Sequence, residues 1–229
     1  MKVAIMQPYF FPYIGYFQLI NAVDEFVIYD DVNFIKQGWI TRNTILVNKK
    51  RYNLTLRVES ASSFKKINEI TIGKNNKKLL KTIEQEYKKA PYFNIVYPIF
   101  KEILLSSENN LSKFLILSLR KIADYLQIDT VFRISSEIDK NDELKGQDKV
   151  IAICQQLKAT NYINAIGGIE LYDKISFSRH QIELSFVKTI TIQYAQFDDV
   201  FTPWLSIIDV IMFNSVDETK LLLNKYDLV

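Results

Sequence analysis

The chain is poor in the residues on which most reactive chemistry is built. Its 229 residues hold one cysteine, Cys154, and one histidine, His180. A single cysteine excludes an internal disulfide and points to a reducing compartment. One His and one Cys give zinc no adequate ligand set, so no metal site is expected. A Ser-His-Asp triad would have to use His180, which lies in the polar stretch Ser178-Arg179-His180-Gln181. A Cys-His pair would need a cysteine that falls on the apolar face of a helix pattern. Long apolar runs are missing too: none approaches the roughly 20 residues of a membrane span. Only four apolar residues separate Lys2 from Gln7-Pro8, too few for a secretory leader. A cytoplasmic protein without a membrane span is expected. Charge of one sign is also scarce. The net charge is +3, and the basic clusters Lys49-Lys50-Arg51 and Lys74 to Lys81 read as solvated faces, so no nucleic-acid partner is expected. Five prolines and six glycines leave no low-complexity linker, and residues 1–229 read as a single domain.

Aromatic residues are plentiful, and they are concentrated at the start. A short apolar strand, Lys2 to Met6, runs into Gln7-Pro8-Tyr9-Phe10-Phe11-Pro12-Tyr13-Ile14-Gly15-Tyr16. Proline lacks an N–H and fixes φ, so the strand stops by Pro8. Five rings in one turn exceed what a connection needs. The rings either line a site or cap the core beneath the sheet; the second reading suits Phe10, Phe11 and Phe17 better than Gln7, Tyr9, Tyr13 and Tyr16, whose polar groups a purely structural role would not require. Gly15 permits a close backbone approach.

The remainder alternates between strand and helix patterns. A helix is expected from about Ile14 to Ala22, a strand over Glu25 to Tyr29, and a hairpin from Thr44–Val47 and Tyr52–Val58 around Asn48-Lys49-Lys50. Asn68 to Ile72 adds a further strand. Helical spacing of Leu79, Leu80, Ile83 and Tyr87 opens a helical insertion of about residues 74–126, which continues from about Tyr92 to Leu105. The insertion closes on a helix capped by Asn110 with the stripe Leu111, Leu115, Leu119, Ile122 and Leu126. Strands at Thr130–Ile134, Asn161–Ala165 and Glu183–Val187, with a helix over Gln147–Leu157, restore the β-α rhythm. A helix begins near Leu205, and Ser215 with Glu218 forms a capping box for another. The fold class is α/β: a doubly wound, mostly parallel, Rossmann-like sheet with a helical insertion and a small β-hairpin.

In such a sheet the ligand crevice lies at the carboxyl ends of the strands. Four strand ends here carry polar or glycine groups: Gln7-Pro8-Tyr9, Asp30-Asp31, Ser135-Ser136-Glu137 and Gly167-Gly168. Asp30 and Asp31 are the candidate catalytic carboxylates, or else a strand-end turn. Neighbours on a strand point to opposite faces, so at most one can face a given pocket. Trp39, Arg42 and Asn43 share one polar connection: a ring to stack on a base or sugar, a guanidinium for phosphate, and an amide. Ser135 and Ser136 can bind phosphate or cap a helix. Gly167 and Gly168 can present N–H groups, or simply turn the chain.

The strings MQPYFFPYIGYFQLI, YDDVNFIKQGWITRN, KTIEQEYKKAPYF, FRISSEI, ATNYINAIGGIELYD, YAQF and LSIIDVIMFNS together resemble the WbqC-like family, collinearly and over nearly the whole chain. The resemblance implies a role in bacterial surface polysaccharide (O-antigen) biosynthesis, with a nucleotide-linked sugar as small-molecule substrate. It carries over no catalytic residues and names no cofactor. The expected function is a transferase that places an acyl or aminoacyl group on a sugar amine. In it, Asp30 or Asp31 is the carboxylate, Tyr9, Tyr13, Tyr16 and Trp39 stack, and Arg42 holds the diphosphate. The alternatives are a non-catalytic sugar-nucleotide binding protein that assists a glycosyltransferase, and a nucleotidylyltransferase. Phe11-Pro12-Tyr13-Ile14-Gly15-Tyr16 has the layout of the H-x-G-H nucleotidylyltransferases, with Tyr13 and Tyr16 standing where that family's histidines would. A homo-oligomer is compatible with all three.

Overall fold

Val3, Ala4 and Ile5 are buried in turn on both faces of the first strand, the pattern of a central strand in a parallel sheet. The computed structural model describes residues 1–198 and 200–229. The chain forms β1 (Lys2–Met6), α1 (Ile14–Asn21), β2 (Glu25–Ile28), β3 (Arg42–Val47), β4 (Lys50–Thr55), β5 (Val58–Glu59) and β6 (Thr71–Ile72). Three helices follow, α2 (Asn76–Tyr87), α3 (Phe93–Leu104) and α4 (Leu111–Tyr125). Then come β7 (Val131–Ile134), α5 (Gly146–Gln156), β8 (Asn161–Ala165), α6 (Lys174–Arg179) and β9 (Glu183–Thr189). The last elements are α7 (Ile207–Phe213), α8 (Val216–Leu223) and β10 (Tyr226–Leu228).

The main sheet has six strands in the order β10-β9-β8-β1-β2-β7. All neighbours are parallel except β10, which runs antiparallel to β9. The chain builds outward from β1 through β2 to β7, then returns to the other side of β1 with β8 and β9. This is the expected doubly wound α/β sheet, with its switch point between β1 and β8.

Period-two alternation divides the core. Ala4, Phe26, Ile28, Ile163 and Val187 face one way and pack with residues of α1, α2, α3, α4, α7 and α8. Val3, Ile5, Val27, Tyr162, Leu184 and Phe186 face the other way, against Val150, Ile151, Ile153 and Cys154 of α5 and Phe177 of α6. The stripes over α2 and α4 are buried as their spacing requires.

Some local readings change. Ile67–Glu69 is a 3-10 turn, and only Thr71–Ile72 of the expected Asn68–Ile72 strand pairs, with Val58–Glu59. The second hairpin strand ends at Thr55, because the next amides find other partners: Leu56 N donates to Thr41 O and Arg57 N to Asn75 Oδ1. The hairpin turn is the two-residue Asn48-Lys49, with φ of 50° and 61°, as the twist of a tight hairpin demands. Helix α6, capped by Asp173, and strand β10 had no periodic signal at such lengths.

Asn110 ties the helical segment to the sheet edge. Its Oδ1 accepts from Lys113 N at 3.1 Å and its Nδ2 donates to Asn68 O at 2.7 Å. Asn110→Ala removes both bonds, and thermal melts should show a loss of about 1–2 kcal/mol.

Candidate functional site

Because β1, β2, β7 and β8 are parallel, the residues just after them share one edge: Gln7, then Asp30 and Asp31, then Ser135 and Ser136, then Gly167 and Gly168. Two groups of side chains stand at or beside this edge, one charged and one neutral.

The charged group joins the ends of β2 and β7. Asp30 is 3% exposed. Its Oδ1 accepts from Ser136 N at 3.0 Å, and its Oδ2 accepts from Ser136 Oγ at 2.8 Å and Asn68 Nδ2 at 3.2 Å. Asp31 points elsewhere. Its Oδ2 lies 3.0 Å from Lys140 Nζ and 2.9 Å from Lys149 Nζ, and both lysine side chains are buried. Lys149 also donates to Asp31 O at 3.2 Å and sits 5.3 Å from the centre of the Tyr29 ring. Burial by itself would raise the Asp31 carboxyl. Lys149, the adjacent Ser135 hydroxyl and Lys140 outweigh it and hold the group below the ordinary carboxylate range. Ser135 Oγ is buried and lies near the carboxylate without the alignment of a full hydrogen bond.

The neutral group is an aromatic cleft in two lobes. The smaller lobe, about 280 Å³, is lined by Tyr9, Tyr13, Trp39, Asn43 and Trp204. The larger, about 500 Å³, is lined by residues that include Tyr13, Thr191, Gln193, Tyr194, Phe201, Pro203 and Trp204. Tyr13 and Trp204 stand between the lobes, with ring centres 6.0 Å apart and planes at 62°. The expected residues Tyr9, Tyr13, Trp39 and Asn43 thus come together.

Each wall is held from behind. Phe10 N donates to Trp39 O at 3.0 Å, which fixes the Trp39 backbone against the aromatic turn. Gly15 is required by Tyr13: a Cβ there would lie 2.3 Å from the Tyr13 ring and 2.7 Å from Thr189 Oγ1. Asn43 Oδ1 accepts from Thr44 N at 2.8 Å, leaving its Nδ2 without a partner among the described residues. Burial raises the phenols of Tyr9 and Tyr13, so both are neutral donors. Neither hydroxyl has a hydrogen-bond partner among the described residues.

The far wall rests on Asp209, which is fully buried in α7. It accepts from Tyr87 Oη at 2.9 Å, Tyr194 Oη at 2.7 Å and Gln196 Nε2 at 2.8 Å. Gln196 also accepts from Thr202 N at 2.8 Å and donates to Thr202 O at 3.1 Å. Burial raises the Asp209 carboxyl, and the three hydrogen bonds offset that only in part.

Other expected residues lie apart from the cleft. Tyr16 is 3% exposed and its hydroxyl donates to Gln7 O at 2.9 Å, so it belongs to the core. Arg42 precedes Asn43 on β3, so its side chain leaves from the opposite face, and it does not line the cleft. The Gln7 side chain, half-buried, has no hydrogen bond among the described residues. Gly168 packs close to Asn164, where a Cβ would lie 2.6 Å from Nδ2, whereas Gly167 meets nothing within 4 Å. Both glycines sit in a 3-10 turn, Ile166–Leu171. Cys154 is buried, and its thiol is pushed up to about 12 by desolvation. Among the described residues no cluster of His, Cys, Asp and Glu could hold a metal ion, and no helix is long and apolar enough to cross a membrane.

Sequence reasoning missed Tyr194, Phe201 and Trp204. Their aromatic density was a usable signal, but they lie in a stretch without periodicity. Lys140 and Lys149 gave no signal, because a lysine in a loop or in the first turn of a helix normally reads as solvated.

Fold and site together define a doubly wound α/β protein with an aromatic cleft beside the carboxyl edge of its sheet. The sequence comparisons narrow this class. The chain belongs to the WbqC-like protein family, whose model matches residues 7–221. It is also 31% identical over 218 residues to the uncharacterized protein Rv1507c of Mycobacterium tuberculosis, covering 93% of each chain. No solved structure gives a significant match.

The two perturbed carboxylates predict opposite pH signatures in denaturant unfolding. The Asp31 contribution should be present above its ordinary pKa of 3.8 and disappear as pH falls through the lowered folded value. Asp31→Asn should remove that acid limb and cost roughly 3–5 kcal/mol near neutral pH, because two buried ammonium groups lose their partner. Asp209 has a raised folded pKa, so its contribution should be full below 3.8 and decline as pH rises through the folded value. Asp209→Asn should flatten that decline while costing about 1–3 kcal/mol for the mismatched phenol donor.

Proposed function

We propose that this protein acts in bacterial surface polysaccharide synthesis on a nucleotide-linked sugar, bound at the aromatic cleft next to the end of β1. The observation that carries the reading is the convergence of Tyr9, Tyr13, Trp39, Trp204 and Asn43 on one concave site at the ligand edge of a doubly wound sheet. Membership of the WbqC-like family supports the pathway. The chemistry that fits is transfer of an acyl or aminoacyl group to a sugar amine. The amine nitrogen attacks the acyl carbonyl carbon, the carbonyl oxygen gains charge, and the donor's leaving group departs as the amine loses a proton. The neutral hydroxyls of Tyr9 and Tyr13 and the Asn43 amide are donors suited to that oxygen. Asp30 and Asp31 act from behind, as anchors of the sheet edge.

One observation favours a second reading, a non-catalytic sugar-nucleotide binding protein that serves a glycosyltransferase. Among the described residues none that lines either lobe is charged, so these lining residues supply no carboxylate or imidazole as general base. The nucleotidylyltransferase reading loses support from the burial of Tyr16, whose hydroxyl is taken by Gln7 O.

Titration calorimetry with sugars linked to uridine, guanosine, deoxythymidine and cytidine nucleotides tests the reading; no heat from any of them would overturn it. Tyr9→Phe and Tyr13→Phe keep ring and packing. They should leave the melting temperature unchanged and weaken binding by about 0.5–1.5 kcal/mol each. Wild-type affinity in both variants would return these rings to a purely structural role. Turnover of an acyl donor and an amino sugar separates the enzyme from the binding protein.

A further inference from the structure

We infer that the cleft takes the sugar ring of its ligand and leaves the phosphates outside. This rests on the reading of a nucleotide-linked sugar and assigns which end of that molecule enters.

Charge gives the first argument. Among the described residues neither lobe is lined by a Lys, Arg, Asp or Glu, so a diphosphate placed there would lose its hydration with no lining cation to replace it. A cation, Arg51, lies at the rim instead. The Arg51 guanidinium donates through Nη2 to Pro203 O, on the loop that bears Trp204.

The lining gives the second. A pyranose ring has an apolar C–H face and an equatorial belt of hydroxyl or acylamino groups. The cleft offers aromatic faces for the first and the free groups of Tyr9, Tyr13, Asn43 and Gln193 for the second. Its two volumes, about 280 and 500 Å³, are on the scale of small-molecule sites.

Backbone strain gives the third. Trp204 has φ of 60°, a left-handed conformation that is costly for a bulky residue, and the residue is 63% exposed. Its surroundings impose that conformation: Pro203 is held by Arg51, and Ser206 N donates to Thr44 O at 2.8 Å. A strained, exposed tryptophan held over a cleft gains little from packing, and a stacked ligand accounts for its placement. Trp39, 51% exposed, lines the same lobe.

The test uses intrinsic fluorescence, because Trp39 and Trp204 are the two tryptophans of the chain and both line the smaller lobe. The probes are methyl glycosides of hexoses, 6-deoxyhexoses and N-acetylhexosamines, then nucleoside diphosphates, then nucleotide-linked sugars. A saturable emission change is expected with a methyl glycoside and with a nucleotide-linked sugar, but not with nucleoside diphosphates alone. Trp204→Ala should weaken glycoside binding about tenfold, while Trp204→Phe, which keeps a ring, should stay close to wild type. Nucleoside diphosphates that produce the emission change and compete with the nucleotide-linked sugar would overturn the inference and leave the proposed function standing. So would a nucleotide-linked sugar that binds by calorimetry without altering either tryptophan. A glycoside that saturates the signal while no nucleotide-linked sugar binds would support the inference and overturn the proposed function. Silence from all probes in both measurements would overturn both.

Discussion

One buried serine holds the two halves of the cleft in register. Ser206 Oγ donates to Phe11 O at 2.7 Å across 195 residues of chain and accepts from Ile208 N at 3.2 Å as the cap of α7. Its backbone N donates to Thr44 O, and the next amide, of Ile207, donates to Pro12 O at 2.8 Å. Three segments meet there: the aromatic turn after β1, the hairpin strand β3, and the loop that ends at α7. Tyr13 lies two residues past Phe11, Asn43 one residue before Thr44, and Trp204 two residues before the serine itself. With no water to replace them, these fully buried hydrogen bonds are costly to leave unmade, which makes the arrangement stiff.

The carboxyl edge divides its work between charge and stacking. Asp30 and Asp31 lie just past the end of β2, where the chain turns, and take different partners. One binds Ser136 and Asn68, the other two lysines, and together they lock the end of β2 to the end of β7 and to the start of α5. Two ammonium groups on one carboxylate leave an excess of buried positive charge, which the aromatic face of Tyr29 partly relieves. An acid pair at a strand end therefore signals a stiff edge here as well as a ligand edge.

The readability of the chain follows the range of the interactions involved. The stripe of α4 and the alternation of β1 depend on local periodicity, and both are plain in the sequence. The strand-end rule placed Gln7, Asp30, Ser135 and Gly167 on one edge because parallel pairing alone decides it. Half of the cleft was legible from two local stretches: Tyr9 and Tyr13 lie in the aromatic turn after β1, and Trp39 and Asn43 in the polar connection after β2 and the start of β3. The other half was not, since Tyr194, Phe201 and Trp204 arrive on a loop whose path is set by Ser206 and Asp209 through contacts far along the chain. Tyr16 illustrates the opposite limit. Its polar hydroxyl suggested a site, yet a single carbonyl, Gln7 O, satisfies it inside the core.

On the proposed reading, the supports of the cleft account for selectivity without a charged lining residue among those described. Stacking on a ring is tolerant, because many sugars offer a C–H face. Discrimination comes from donors and acceptors held where only some ligands can meet them. Asn43 keeps one end of its amide on Thr44 N, which orients the free Nδ2. Tyr13 is pressed against Gly15, which fixes its ring. Tyr194 is anchored by Asp209, so its ring lines the larger lobe while its hydroxyl is already used. The free polar groups are thus few and rigid, and the aromatic area around them is large. On the proposed reading, that combination would gain affinity from the rings and leave specificity to the positions of Asn43, Tyr9 and Tyr13, which the buried contacts behind them determine.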